Sequence, residues 1–136
     1  MSSQTLMSLD VGEKRIGVAV ADDAVRIAVP FSTIEVDGTE LTAIADIAIQ
    51  QNVQTIVIGY PRNQQGEATA QTNYVEKFAE QLADIGPKLV FQDESLTSVM
   101  AEQRLISQKK PYTKGDIDAQ AASIILQDYL EVNYGY

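Results

Sequence analysis

A chain of 136 residues, 45% hydrophobic and 21% charged, has the size and balance of one soluble domain that buries its own core. It contains no cysteine and no histidine, which excludes disulfides, thiolate or imidazole metal sites and Ser-His-Asp hydrolysis, and leaves acid, base or metal chemistry to carboxylates, lysine and tyrosine. The net charge of −9 argues against a general electrostatic grip on nucleic acid, so any phosphate contact needs a local basic patch.

Met1 to Thr5 is short and polar, without the basic and apolar regions of a secretory signal, and no apolar run approaches a membrane span. A cytoplasmic protein with no membrane partner is the expectation. The first apolar run, Leu6 to Leu9, ends at Asp10, and a second, Ile16 to Ala21, follows a turn containing Gly12. This predicts a hairpin. A third β-rich stretch, Val25 to Ile34, carries Pro30 and reads as an edge or bulged strand.

Leu41, Ile44, Ala45, Ala48 and Ile49 then recur at helical spacing, with Thr39 as the expected N-cap. Thr55 to Ile58 is a continuous β-branched run, as in a strand buried on both faces of a parallel sheet. A loop from Gly59 to Gly66 precedes a helix from about Ala68 to Ile85, stopped by Gly86-Pro87. Lys88 to Gln92 reads as a strand leading into Asp93-Glu94. Further helices are predicted around Val99 to Ile106 and from Ile117 to Leu130. The order βββαβαβαα indicates an α/β domain, a mixed sheet covered by helices, across residues 1–136.

Asp10 and Glu94 both fall at the carboxyl ends of predicted strands, the edge at which α/β sheets hold ligands. Asp118 lies near the start of the last helix, on the same face as Ala122, Ile125 and Tyr129, and the small residues Ala119, Ala121 and Ala122 let that helix approach the sheet. A carboxylate on a buried face needs a partner or a proton. With no histidine and no arginine evident beside all three acids, the expected partner is a divalent cation, Mg²⁺ or Mn²⁺, bound through oxygen. A two-metal arrangement would serve phosphodiester hydrolysis without a side-chain nucleophile. Each acid alone also fits turn or helix capping; Asp116 competes with Asp118 as the helix cap, and Asp93 with Glu94 as the ligand.

Gly12 to Gly17 has P-loop spacing, but Val18-Ala19 stand where Lys and Ser or Thr belong, so it is not a phosphate-binding loop of that kind. The candidate basic patch comprises Lys14, Arg15, Arg62 and the group Lys109, Lys110 and Lys114, with Asn63 and Gln64 as neighbouring polar contacts.

Four segments resemble the YqgF/RuvX family, the Holliday junction resolvase-like proteins also described as pre-16S rRNA nucleases. They are Asp10-Val11-Gly12-Glu13-Lys14-Arg15-Ile16-Gly17-Val18-Ala19, Gly59-Tyr60-Pro61 with Gly66, Asp93-Glu94-Ser95-Leu96-Thr97-Ser98, and the helix Asp118 to Gln127. Tyr60 and Ser95 depart from the family's usual leucine and arginine, the second removing a cation beside a proposed ligand. The resemblance implies a ribonuclease H-like mixed five-stranded sheet flanked by helices, with the acidic residues at Asp10, Glu94 and Asp118. It also implies a Mg²⁺- or Mn²⁺-dependent nuclease acting on structured nucleic acid, either pre-rRNA or branched DNA; Lys14, Arg15, Arg62 and Asn63 are the nucleic-acid contacts expected from the residues themselves, and a homodimer would suit a junction substrate. The rival readings are a four-way DNA junction resolvase, an inactive nucleic-acid-binding module, and an actin-type nucleotide fold. The last needs two such domains, more than this length supplies.

Overall fold

The computed structural model describes residues 4–61, 65–94, 103–108 and 113–134, with the side chain of Glu94 outside that description. Strand β1 (Thr5–Val11) turns through Gly12 into β2 (Arg15–Asp22), and the Gly12 amide donates to the Arg15 carbonyl at 3.0 Å. The expected hairpin is therefore present. β3 (Val29–Glu35) follows, then α1 (Glu40–Gln50), β4 (Val53–Pro61), α2 (Ala70–Leu82) with a 3-10 turn at Ala83–Ile85, and β5 (Lys88–Glu94). Residues 103–107 are helical (α3), and α4 (Lys114–Tyr134) completes the chain.

The five strands form one sheet in the order β3-β2-β1-β4-β5. The β3-β2-β1 half is antiparallel and the β1-β4-β5 half is parallel, which is the mixed sheet expected from the order of elements. Side chains alternate across it. Met7, Leu9, Ile16, Val18, Ile56 and Ile58 face α1 and α2, where Ile44, Val75, Phe78 and Leu82 close the larger core. Leu6, Ala19, Ala21 and Val57 face α4, meeting Ala122, Ile125, Leu126 and Leu130. β4 is buried on both faces because helices cover both sides, which is why its sequence is apolar without alternation.

Several boundaries differ from the sequence reading, each for a local reason. β3 begins at Val29 instead of Val25, because the Asp22 carboxylate accepts from the Ala24 and Val25 amides and Arg26 takes a left-handed conformation at φ 63°. Pro30 lies in this edge strand, where the register with β2 shifts. Gly59 to Pro61 belong to β4 and not to a loop, since they pair with Gln92 to Glu94 of β5. Thr39 precedes α1 but caps nothing with its side chain; its hydroxyl donates to Asp37 at 2.6 Å. α4 starts at Lys114, three residues before Ile117, because Thr113 and Asp116 cap it reciprocally. The Thr113 amide donates to Asp116 Oδ2 at 2.9 Å and the Asp116 amide to Thr113 Oγ1 at 3.2 Å. Among the described residues no helix is long and apolar enough to cross a membrane.

Candidate active site

Asp10 is the penultimate residue of β1 and shares the α4-facing series with Leu6 and Ser8. In the sheet it pairs with Gly17 of β2, which in turn pairs with Thr33 of β3, so the three positions form a row across the antiparallel half. α4 crosses this row, and each strand takes hold of it differently. Thr33 Oγ1 donates to the Gly115 carbonyl at 2.5 Å, and the buried Ser8 Oγ donates to the Ala122 carbonyl at 2.6 Å. Between them Gly17 contributes only space: a Cβ there would lie 1.9 Å from the Asp118 carbonyl oxygen and 2.9 Å from the Ala119 nitrogen. Successive turns of α4 are thereby fixed on three strands, and the first turns bring Asp118 to Asp10.

The consequence is electrostatic. Burial, and secondarily the Asp118 carboxylate, push the Asp10 carboxyl group up to about 7. Asp118 is better placed, because Arg15 Nε donates to its Oδ2 at 2.6 Å across a partly buried ion pair. The hydrogen bond and charge of Asp118, with a smaller contribution from Glu35, hold the Arg15 guanidinium above its ordinary value. Arg15 thus stands beside Asp118, one of the three acids. The signal was present, since Arg15, Gly17 and Ala19 alternate on one face of β2.

Glu94 ends β5 and pairs with Pro61, which places its backbone on the same carboxyl-end rim as Asp10, across β4. Asp93 lines a cleft of about 960 Å³ with Tyr60, Glu76 and Phe91. That cleft is the larger one, yet it contains neither Asp10 nor Asp118. Beside the acid pair lies a smaller cleft of about 350 Å³, lined by Gly12, Glu13, Lys14, Arg15, Gln71 and Asp118. Its walls are firm: Gln71 Nε2 donates to the Val11 carbonyl at 2.9 Å, and the Val36 amide to the Lys14 carbonyl at 3.0 Å.

Two of the three expected acids thus come together, with two of the expected cations, Lys14 and Arg15, beside them. Among the described residues no group of three carboxylates is arranged around one point. Asp116 is occupied in capping α4. Arg62, Asn63, Gln64, Ser95, Lys109 and Lys110 lie outside the described residues. Sequence reasoning missed the roles of Gly17, Ser8 and Thr33, which hold the helix and carry no reactive group.

Residues 4–132 match the family described as RuvX, Holliday junction resolvase. A Chloroflexus aggregans protein named for pre-16S rRNA nuclease activity is 43% identical over 137 residues, covering 96% of each chain. One of the same name from Synechocystis is 40% identical over 131 residues, covering 93% of this chain and 86% of that one. Among solved structures, Thermus thermophilus RuvC in complex with a Holliday junction substrate superposes with a TM-score of 0.58 at 13% identity, covering 97% of this chain and 96% of RuvC. The fowlpox virus resolvase in complex with Holliday junction DNA gives a TM-score of 0.57 at 13% identity, covering 95% of this chain and 98% of that one. At such identities the likeness is one of fold, and it agrees with the mixed five-stranded sheet described above. The family match and the extent of sequence identity carry the assignment: the chain belongs to the RuvX family and is a nuclease of ribonuclease H-like fold, hydrolysing phosphodiester bonds of nucleic acid.

Proposed function

We propose that Asp10, Glu94 and Asp118 hold Mg²⁺ or Mn²⁺ and that the enzyme trims the 5′ end of pre-16S ribosomal RNA, working in the cytoplasm. The observation that carries this reading is Asp10, a carboxyl group that burial and a second carboxylate push up to about 7. Such a group is costly in isolation and becomes favourable when a cation of higher charge shares it. The donor set fits a hard divalent ion: carboxylate oxygens only, with Asp118 on the wall of the 350 Å³ cleft and no thiolate or imidazole in the chain.

When bound, the ion supplies Lewis-acid activation of water and neutralises charge gathering on the phosphate. The protein does the rest. Asp10 must give up its proton to act as a ligand, and Asp118, fixed by α4, sets the distance between the two carboxylates. Lys14 and Arg15, on the wall of the 350 Å³ cleft, supply positive charge for the phosphate backbone in a chain of net charge −9. The pre-16S rRNA substrate rests on the names of relatives 40% to 43% identical over most of their length.

The test is cleavage of an RNA carrying the 5′ leader of 16S rRNA, beside a four-way DNA junction, with Mg²⁺, Mn²⁺ or EDTA. Metal-dependent cutting of the RNA that disappears in Asp10→Asn supports the reading. Cutting confined to the junction moves the substrate to DNA, and cutting that persists in Asp10→Asn removes the metal site from these residues.

A further inference from the structure

Asp118 faces two groups with opposite demands. The Asp10 carboxyl group lies on one side, and from the other Arg15 donates a 2.6 Å hydrogen bond from Nε to Oδ2. The ion pair is partly shielded, its side chains 30% and 22% exposed, so solvent does not fully screen it. Arg15 is itself anchored: it opens β2, pairs in register with Glu35, and follows the tight turn closed by the Gly12 amide. Its guanidinium reaches Asp118 from the same wall of the cleft to which Lys14 contributes, while only Nε–H is spent on that bond. The two terminal NH₂ groups of the fork lie outside it.

We propose that Arg15 is an exchangeable counter-cation: it occupies the Asp118 carboxylate while the acid pair is empty, and is released toward a nucleic-acid phosphate when a divalent ion takes that carboxylate. This rests on the reading of Asp10 and Asp118 as metal-binding residues. One side chain would then couple two events, because the ion must displace the guanidinium and the displaced guanidinium favours substrate. The two cations compete for one carboxylate, so removing Arg15 helps the metal and harms the nucleic acid. A purely structural ion pair predicts no such opposition.

The decisive measurement is Mn²⁺ affinity of the full chain without nucleic acid, read from the electron paramagnetic resonance signal of free Mn²⁺. Arg15→Gln is expected to tighten Mn²⁺ binding roughly three- to thirty-fold, less than the roughly ten- to hundred-fold of a fully buried charge-assisted hydrogen bond because the pair is partly exposed. Arg15→Lys, which keeps the charge but loses the planar fork, should fall between it and the wild type. Lys14→Gln removes a charge from the same cleft without touching Asp118 and should change affinity less than Arg15→Gln does. Equal tightening by Lys14→Gln would reduce the effect to general electrostatics and overturn the proposal, as would unchanged or weaker binding in Arg15→Gln.

The second arm measures binding of a four-way junction and a 5′-leader RNA with EDTA and with Ca²⁺. Arg15→Gln should weaken binding severalfold with Ca²⁺ and little with EDTA, because the wild-type guanidinium is engaged by Asp118 when no ion is present; equal loss in both conditions contradicts the exchange. Asp10→Asn separates the two readings. If it leaves Mn²⁺ affinity intact, the metal site itself is wrong; if it abolishes binding while Arg15→Gln does not tighten it, only the exchange fails.

Discussion

Gly17 of β2 and Asp118 of α4 meet backbone to backbone, with so little room that a methyl group on Gly17 would sit 1.9 Å from the Asp118 carbonyl oxygen and 2.3 Å from its carbon. Neither partner can swing aside as a flexible side chain could. Gly17→Ala must lift the first turns of α4 from the sheet, and overpacking against fixed backbone costs about 3 kcal/mol or more. The expected result is a large fall in the urea midpoint, with cleavage by the folded fraction also reduced, because Asp118 travels with the displaced carbonyl. An unchanged midpoint would mean that α4 does not rest on Gly17.

Asp10 links stability to pH with a definite sign. In the folded protein its carboxyl group titrates near 7, against an ordinary value of 3.8. Between these values the folded state retains a proton that the unfolded chain has lost, so the metal-free protein loses stability as pH rises from about 4 to about 7, and the penalty is complete above that. Asp10→Asn removes the penalty. In EDTA the variant should melt several degrees higher than wild type at pH 8, a gain of a few kcal/mol at most, with the difference shrinking toward pH 4. Added Mg²⁺ or Mn²⁺ should stabilise wild type at pH 8 and leave the variant nearly unmoved. A variant less stable than wild type at pH 8 contradicts the penalty that burial, and secondarily Asp118, imposes on the Asp10 charge.

The contrast between what sequence disclosed and what it concealed follows from the range of the interactions. The Leu6 to Leu9 run, the Gly12 turn and the apolar Thr55 to Ile58 segment are local signals, and β1, the hairpin and β4 follow from them. The ends of elements depend on partners far away. Gly59 to Pro61 resemble a loop because glycine and proline are poor strand formers, yet pairing with Gln92 to Glu94 keeps them extended. Asp10 and Asp118 were identifiable as acids on the right elements. Their meeting was not, since it requires the empty position at Gly17, the hydroxyls of Ser8 and Thr33, and the 103-residue reach from Arg15 to Asp118. Residues that hold a site in place carry no chemical signature of their own.

Ser8 offers a milder perturbation of the same seat. Its buried hydroxyl donates to the Ala122 carbonyl, whose oxygen has a second lone pair for the helix ladder, so Ser8→Ala leaves no unsatisfied donor and vacates little volume. The expected cost is about 1 kcal/mol, the net worth of one neutral hydrogen bond. Thr33→Val, which removes the bond from β3 to the Gly115 carbonyl, should cost a similar amount. Equilibrium unfolding of the two single variants and the double variant tests whether α4 is held as a unit; strict additivity would show that the anchors act independently.

Lys14 tests whether the cleft wall meets phosphate at all. The chain carries net charge −9, so long-range attraction to nucleic acid is poor and binding must rely on a few cations at the site. Lys14 sits in a tight turn whose backbone is tied to Val36 and lines the cleft with Arg15 and Asp118. If it neutralises one phosphate, Lys14→Ala weakens binding severalfold at low salt, equally for all sequences, and lowers the slope of log affinity against log salt by about one. The wild-type advantage should therefore shrink as salt rises. A variant with weaker affinity but an unaltered salt slope would place Lys14 in shaping the turn and away from the nucleic-acid backbone.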